Sequence, residues 1–220
     1  MQAMTLISSS IESIHPKEDG KTALEMMKQF RINHLAITKN NYFLAVVSDK
    51  EIMNWDSTEE YIEDHLNNLA SPNVKYNQHL FDIIEVLEKN NLSVVPVLDK
   101  KNQYLGVITS RKLMYTIGNS ATIQSAGGVI VLEMNKHDYS LTEIASIVES
   151  NNTKILSSYI ISKPKSTNIE VTIKLNKKDI TTIIKDFERR EYKVSASYKE
   201  EEEDADFTER YESLIRFLNP

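Results

Sequence analysis

One segment of this chain occurs twice, and this repeat constrains the fold more than any other feature of the sequence. His34–Ile37 aligns with Val94–Val97 sixty residues later, and Ala45–Ser48 aligns with Gly106–Thr109 sixty-one residues later. The extra residue lies in the turn at Asp99–Gln103, which is one residue longer than its counterpart. Two copies of a small unit usually bury their apolar faces against each other. The cleft between such copies is a natural ligand site, so the repeat favours a sensor module over a catalyst.

Composition and charge exclude several classes of function. The chain has no cysteine, which excludes disulfides, thiol catalysis and zinc sites built on thiolates. A net charge of -6 disfavours binding to nucleic acid, which requires a basic face. The sequence lacks a signal peptide and an apolar run long enough to span a membrane. At 220 residues we therefore expect one or two domains of a soluble cytoplasmic protein without membrane or nucleic-acid partners.

The hydrophobic pattern predicts the same order of elements in both copies: a helix, a two-stranded hairpin and a second, short helix. The predicted long helices are 22–30 and 80–90, and the predicted hairpins pair 34–38 with 42–47 and 94–98 with 104–108. Between the copies, residues 56–68 are acidic and carry a sparse apolar stripe. We expect them to form an acidic helix.

A different pattern begins at Gly127. It predicts strands at 129–134, 155–161, 169–175 and 192–198, with helices after Ser140 and around Ile180 to Phe187. The strand at 169–175 alternates apolar and polar residues, which is typical of a strand with one buried and one solvent-exposed face. The order βαββαβ is that of the ferredoxin-like split βαβ unit. Acidic residues follow from Glu200, and the pattern from Phe207 to Leu218 predicts a short amphipathic helix.

Each copy resembles a CBS motif, and the pair resembles a CBS tandem. The matching residues are Ala23–Met27, Ile32–Ile37 and Val46–Ser48 in copy one, and Leu92–Asp99 and Gly106–Thr109 in copy two. Residues 127–200 resemble an ACT-type domain in topology, so the whole is similar to the acetoin-utilisation-type CBS–ACT proteins. The resemblance implies an α+β protein in which a CBS-domain pair precedes a ferredoxin-like βαββαβ (ACT-like) domain. The expected boundaries are 1–58 for CBS motif 1, 59–120 for CBS motif 2, 126–200 for the ACT-like domain, and 201–220 for an acidic linker and C-terminal helix.

The resemblance also implies a ligand. CBS pairs typically bind adenosine-containing molecules in the cleft between the copies, which makes AMP, ADP or ATP the expected ligand and leaves no required cofactor or metal. The family pattern ends each copy with Ser/Thr-x-x-Asp, whose hydroxyl and carboxylate hold the ribose. The corresponding residues here are Ser48 with Glu51 and Thr109 with Lys112.

Both copies depart from the family pattern, and each departure has two interpretations. Ser48 and Glu51 either hold a ribose or form a capping box in which each satisfies the backbone N–H of the other. Lys112 cannot accept a hydrogen bond from a ribose, so Lys112 and Arg111 either meet a phosphate or lie on a solvated face. His34 is either a phosphate contact or a structural residue with its own hydrogen bonds.

The remaining predictions concern the second domain, catalysis and partners. The turn at residues 135–140 is where ACT domains often bind an amino acid, but it lacks glycine and also fits a helix cap at Asp138 or Ser140. The sequence contains no catalytic motif, so we expect a protein that is not an enzyme. Methionines 26, 27, 53 and 114 lie near the helices through which such pairs dimerise, so we expect a homodimer with an unknown protein partner. The alternative is a ligand-free dimeric scaffold with degenerate sites.

Overall fold

The computed structural model describes residues 1–8, 10–164 and 166–199. Along the chain, the first unit ends at Gly118 and the second begins at Asn119. The predicted acidic linker and C-terminal helix at 201–220 lie outside the described residues.

The first unit contains both copies of the repeat. Its elements are α1 (Gly20–Phe30), β1 (His34–Lys39), β2 (Tyr42–Ser48), α2 (Asp49–Met53), α3 (Ile62–His65), β3 (Val74–Lys75), α4 (Leu80–Lys89), β4 (Val94–Leu98), β5 (Tyr104–Thr109) and α5 (Ser110–Gly118). Strand β1 pairs antiparallel with β2, and β4 pairs antiparallel with β5, as the sequence predicts. In both copies a helix follows directly on the second strand of the hairpin, which places the start of that helix at the end of the sheet.

Equivalent residues of the two copies make the same backbone pairings. Ile14 pairs in parallel with Ile37, and Val74 pairs in parallel with Val97 sixty residues later. In each hairpin the register shifts directly after Ile37 or Val97. A bulge of this kind increases the local twist of a strand pair. The repeat in the sequence is therefore also a repeat in hydrogen bonding.

Each copy is completed by a segment that lies outside its own helix and hairpin. The N–H of Ala3 donates to the carbonyl of Gln78 at 2.9 Å, so the start of the chain binds copy two. The N–H of Ile62 donates to the carbonyl of Glu18 at 3.0 Å, so the segment between the copies binds copy one in the same way. Ala3 and Ile62 are both fully buried. The first residues of the chain thus pack on the more distant copy.

These contacts explain why the predicted acidic helix at 56–68 is wrong. The structure contains one helical turn, α3, followed by a 3-10 turn at Leu66–Asn68. The N–H groups of Ile62 and Glu63 bind carbonyls of Glu18 and Pro16 in copy one, instead of a carbonyl four residues earlier. Tertiary hydrogen bonds therefore override the acidic, weakly amphipathic pattern on which the prediction was based.

The two copies share part of their cores. The buried cluster of copy one includes Val94 and Val107 from copy two. Met27 belongs to this cluster and is 3% exposed, so it is not available to a dimer face, whereas Met53 and Met114 are exposed. Copy two has a second cluster, centred on Ile83, Val95, Val97 and Ile108.

The second unit has the predicted order βαββαβ, preceded by one helical turn. Its elements are α6 (Ala121–Gln124), β6 (Val129–Asn135), α7 (Leu141–Ser150), β7 (Ile155–Ser162), β8 (Asn168–Leu175), α8 (Thr181–Arg189) and β9 (Lys193–Tyr198). The strands form one antiparallel sheet in the order β7-β8-β6-β9. The apolar residues of β8 are buried with Ile144, Ile183 and Phe187 of the two long helices, so the helices cover one face of the sheet.

The hydroxyl of Tyr104 generates a prediction about stability. Tyr104 packs against the core of copy one, and its hydroxyl is buried without a hydrogen-bond partner among the described residues. Burial raises the pKa of this phenol. Copy one has Phe43 at the equivalent position. We expect Tyr104→Phe to increase the free energy of unfolding by about 1 kcal/mol, because a desolvated, unpaired group is removed.

Urea unfolding of the full chain measures this change. Tyr42→Phe is the matched control, since Tyr42 is 51% exposed and its hydroxyl can bond to water. A Tyr104→Phe variant less stable than the parent would show that the hydroxyl is stabilising.

Candidate functional site

The starts of α2 and α5 are held in equivalent places, at the end of the two hairpins. The N–H of Asp49 donates to the carbonyl of Asn33 at 3.0 Å, and the N–H of Ser110 donates to the carbonyl of Ser93 at 3.0 Å. Asn33 and Ser93 are themselves equivalent residues, one before each hairpin. The two helix starts therefore face one region where the copies meet.

A polar cleft of about 350 Å³ lies in this region. Both copies contribute to its walls, and most of its side chains are polar, with amides, hydroxyls, one imidazole, one carboxylate and one ammonium group. The lining consists of Asn33, His34, Ser48, Asp49 and Lys50 from copy one and Asn91, Leu92, Ser93 and Ser110 from copy two. A cleft of this volume and polarity can hold a small polar molecule.

Hydrogen bonds between the copies cross the floor of the cleft. The N–H of Asn33 donates to Oγ of Ser93 at 2.9 Å, and the N–H of Ser93 donates to Nδ1 of His34 at 3.2 Å. The same Nδ1 lies 3.1 Å from Oγ of Ser93. Because Nδ1 accepts a backbone hydrogen bond, the imidazole of His34 is neutral and carries its proton on Nε2. These contacts are those of a structural residue with its own hydrogen bonds, which is one of the two interpretations of His34 in the sequence analysis.

The surroundings of His34 keep it uncharged. Burial lowers the pKa of His34, and the nearby carboxylates of Asp49 and Glu51 oppose this effect only in part, while Lys50 adds to it. A neutral His34 offers a ligand one N–H donor and no positive charge. It is therefore a weaker phosphate contact than the sequence position suggests.

Ser48 and Glu51 form the capping box that their spacing predicts. Oγ of Ser48 accepts from the N–H of Glu51 at 3.2 Å, and Oε2 of Glu51 accepts from the N–H of Ser48 at 2.8 Å. The hydroxyl of Ser48 also lies 2.6 Å from the same carboxylate oxygen. The two side chains satisfy each other, and a ribose would have to share these groups with the cap.

The corresponding cap in copy two is simpler. Oγ1 of Thr109 accepts from the N–H of Lys112 at 2.9 Å, and no reciprocal bond can form because Lys112 has no acceptor. Arg111 and Lys112 are exposed on the first turn of α5, outside the described lining of the cleft. Of the six predicted residues, the structure brings His34 and Ser48 into the cleft.

Several cleft residues were not singled out by the sequence. Oδ2 of Asp49 accepts from Nδ2 of Asn33 at 2.7 Å, which fixes a carboxylate at the start of α2. Asn33 and Ser93 are equivalent residues of the repeat, each directly before a hairpin, but neither residue type by itself indicates a site. Lys50 and Ser110 follow the two caps directly and carry no distinguishing signal.

Charge differs between the two helix starts. The first turn of α2 carries Asp49 and Glu51, whereas that of α5 carries Arg111, Lys112 and no acidic residue. An anion is stabilised at a helix start that lacks carboxylates and is repelled by one that carries them. The first turn of α5 is therefore more favourable to an anion than that of α2.

The turn at residues 135–140 of the second unit ends in a capped helix start, as the helix-cap interpretation expects. Oγ of Ser140 accepts from the N–H of Glu143 at 3.3 Å, and Oδ1 of Asn135 accepts from the N–H of His137 at 3.0 Å. The chain's own side chains thus bind donors of this turn.

In the described part of the chain, no group of three or more His, Asp or Glu side chains is placed to hold a metal ion. Nor does any described helix combine the length and apolar character needed to cross a bilayer.

Comparison with known proteins gives one family match. The family model described as CBS domain matches residues 3–57 and 71–119. No curated protein matches the chain.

Several solved structures are similar to the chain. A CBS domain pair/ACT domain protein from Thermotoga maritima has 13% identity and a TM-score of 0.47, with 53% of this chain and 96% of that chain covered. The CBS domains of a transcriptional regulator from Streptococcus pneumoniae have 15% identity and a TM-score of 0.45, covering 52% and 98%. CBSX2 in complex with AMP has 18% identity and a TM-score of 0.43, covering 53% and 95%.

The hydrogen bond from the N–H of Ser93 to Nδ1 of His34 predicts a dependence of stability on pH. The pKa of His34 is lowered in the folded protein, so the unfolded chain binds the proton more readily. The contribution of His34 is therefore complete above about pH 6.5 and is lost as the pH falls through the lower, folded pKa. We expect the free energy of unfolding to fall between pH 7 and pH 5, because a protonated Nδ1 can no longer accept from Ser93.

Urea titrations at several pH values measure this effect. His34→Asn is the control variant, since the amide oxygen can accept from the N–H of Ser93 but does not titrate. Its unfolding free energy should fall less over this pH range than that of the parent protein. Equal pH dependence in both proteins would contradict the assignment.

Proposed function

We propose that this chain, which matches the CBS domain model at residues 3–57 and 71–119, carries a tandem pair of CBS domains and is a regulatory protein that binds an adenine nucleotide or a related anion in the cleft between them. The observation that carries this proposal is the polar cleft at the starts of α2 and α5, with walls from both copies. A ligand there would contact residues that are sixty positions apart. In this proposal the protein acts by binding and not by catalysis.

The cleft offers groups suited to the polar parts of a nucleotide. Asn91 and Ser110 provide an amide and a hydroxyl for ribose or base, and Ser48 and Glu51 would add to them if the cap shares its oxygens. Lys50 lines the cleft, and Arg111 and Lys112 lie on the first turn of α5. We place the phosphate toward copy two, because Lys50 of copy one lies between Asp49 and Glu51 whereas the first turn of α5 has no carboxylate, and Thr109 caps the turn that presents Arg111 and Lys112.

Signalling would follow from the hydrogen bonds that cross the cleft floor. A ligand that binds His34 and Ser93 differently in two arrangements of the copies shifts the balance between them. A protein partner would read that shift. Only a difference in affinity between the two arrangements can produce a signal, however tightly the ligand binds.

We assign the second unit to the ACT-like domains, which would relate the chain to the acetoin-utilisation-type CBS–ACT proteins. The order βαββαβ and the sheet order β7-β8-β6-β9 support this assignment. The turn at 135–140 gives no support for an amino-acid ligand, because Asn135 and Ser140 bind its backbone donors.

A second candidate function is a ligand-free dimeric scaffold. The observation that favours it is the closed hydrogen bonding of Ser48 with Glu51 and of His34 with Ser93. Polar groups that satisfy each other do not need a ligand. The two candidates differ in whether any nucleotide binds.

A thermal-shift titration separates these candidates. We expect AMP, ADP or ATP to raise the melting temperature, and adenosine to raise it less, because the cations near α5 favour phosphate. Free ligand at 100 times the dissociation constant stabilises a folded protein by about 2.7 kcal/mol, which is readily measured. No shift with any of the three nucleotides at millimolar concentration would favour the scaffold.

Charge removal tests where the phosphate binds. We expect Arg111→Ala combined with Lys112→Ala to weaken AMP binding in calorimetry and to leave adenosine binding unchanged. The matched control is Lys100→Ala combined with Lys101→Ala, which removes the same charge from the exposed turn between β4 and β5. Equal weakening by both pairs would indicate a general effect of net charge.

The two caps provide a further test. Ser48→Ala and Thr109→Ala should each reduce the free energy of unfolding by about 1 kcal/mol through loss of the cap. We expect Thr109→Ala to weaken AMP binding more than Ser48→Ala does, because its turn presents Arg111 and Lys112. Negligible effects of both substitutions on binding, measured by calorimetry, would mean that the ligand does not use this site.

A further inference from the structure

The sheet of the second unit has an outer face, opposite α7 and α8, with an apolar centre. Successive residues of a strand point to opposite faces of its sheet. Ile130 and Leu132 of β6 are buried with the two helices, so Val129 and Val131 lie on the outer face. The strand pairings place four residues of this face in one continuous row, which consists of Tyr159, Thr172, Val131 and Ala196. Three of these four side chains are apolar or aromatic.

Large side chains on the same face are exposed. Tyr159, Ile161 and Tyr198 are 55%, 49% and 63% exposed. Ile161 is two residues from Tyr159 on the same strand, and Tyr198 is opposite Val129, so all three lie on the outer face. A contiguous exposed apolar surface usually marks a site of interaction.

The helical turn α6 borders the outer face and leaves a groove beside it. Nζ of Lys174 on β8 donates to the carbonyl of Ile123 in α6 at 3.4 Å. The groove has a volume of about 370 Å³, and its walls include Ile123, Val129 and Tyr198. Since these three side chains are apolar or aromatic, the groove can accept an apolar side chain of another segment.

The chain's own sequence contains a segment that matches this surface. The described residues end at Lys199, and the sequence from Phe207 to Leu218 predicts an amphipathic helix. Its apolar stripe, at positions i, i+4, i+7, i+8 and i+11, consists of Phe207, Tyr211, Leu214, Ile215 and Leu218. A helix of about 12 residues is marginal alone and is stabilised by packing of its apolar stripe. The segment therefore needs an apolar surface of the kind that the outer face offers.

The segment follows directly on the strand that borders this surface. The chain leaves β9 at Tyr198, on the outer face. Residues 200–206 connect this point to Phe207, and seven extended residues can span about 23 Å. Four adjacent strands are only about 14 Å across from first to last. The connection is long enough to return the predicted helix over the sheet.

Charge at this end of the sheet favours the same occupant. Strands β8 and β9 both run antiparallel to β6, so their C-terminal ends lie at one end of the sheet. These ends carry four lysines and one carboxylate, namely Lys174, Lys177, Lys178, Lys199 and Asp179. Of the seven connecting residues 200–206, all except Ala205 are acidic. Complementary charges of this kind fix the orientation in which two surfaces meet.

We propose that residues 207–218 form a helix that docks on the outer face of the second sheet and covers the row from Tyr159 to Ala196. The acidic connection lies against the lysines at the end of β8 and β9, and an apolar side chain of the helix enters the groove beside Ile123. The sheet then has helices on both faces, which removes the apolar residues of both from water.

Thiol reactivity tests the proposal in the full chain, which has no cysteine of its own. Val131→Cys places a thiol in the middle of the row, and Thr142→Cys places one on the exposed side of α7. We expect Leu214→Glu with Ile215→Glu to release the helix and to raise the rate of maleimide labelling at position 131 by about tenfold, because a covered thiol reacts only after local opening. The rate at position 142 should not change.

The matched control is Ser213→Glu with Arg216→Gln, which changes the net charge by the same two units on the opposite side of the predicted helix. It should leave labelling at position 131 slow. The proposal is overturned if both pairs of substitutions accelerate labelling or if neither does. Protection of position 131 that increases with protein concentration would also overturn it, because a second copy would then cover the face. The nucleotide-binding measurements of the first unit are independent of these outcomes.

Discussion

The first unit depends on backbone hydrogen bonds that join each copy to a segment of the chain outside its own helix and hairpin. Ala3 binds Gln78 of copy two, and Ile62 binds Glu18 of copy one, in equivalent places. Since Val94 and Val107 also complete the core of copy one, neither copy encloses a full core alone. At the cleft, the two copies are joined by the hydrogen bonds from Asn33 to Ser93 and from Ser93 to His34. A ligand that altered their relative placement would act against this shared core.

The same symmetry makes the differences between the copies informative. Equivalent hydrogen bonds place α2 and α5, so a symmetric chain would present two equal helix starts. Instead Asp49 and Glu51 of copy one correspond to Ser110 and Lys112 of copy two. The third residue of each helix is thus a carboxylate, Glu51, in copy one and a cation, Lys112, in copy two. The first turn of α5 is therefore more favourable to an anion than that of α2, and burial lowers the pKa of His34, which accepts a hydrogen bond from Ser93.

The sequence predicts the parts of the fold that local pattern determines. Strand β4 has the predicted bounds, and α1 and α4 differ from prediction by at most two residues at either end, because apolar periodicity specifies them. The predicted helix at 56–68 failed because its backbone binds residues about forty positions away. The cleft residue Ser93 was missed for the same reason. Its role depends on Asn33 and His34, which only the fold brings near.

The two units satisfy their backbone groups in different ways. In the first unit, the backbone N–H groups of Ala3 and Met4 donate to the carbonyls of Gln78 and Tyr76 in copy two. In the second unit, no described strand pairs with the outer side of β7, and the strand carries no charged residue between Lys154 and Lys163. An open edge of this composition is costly in a free monomer, because it favours uncontrolled association.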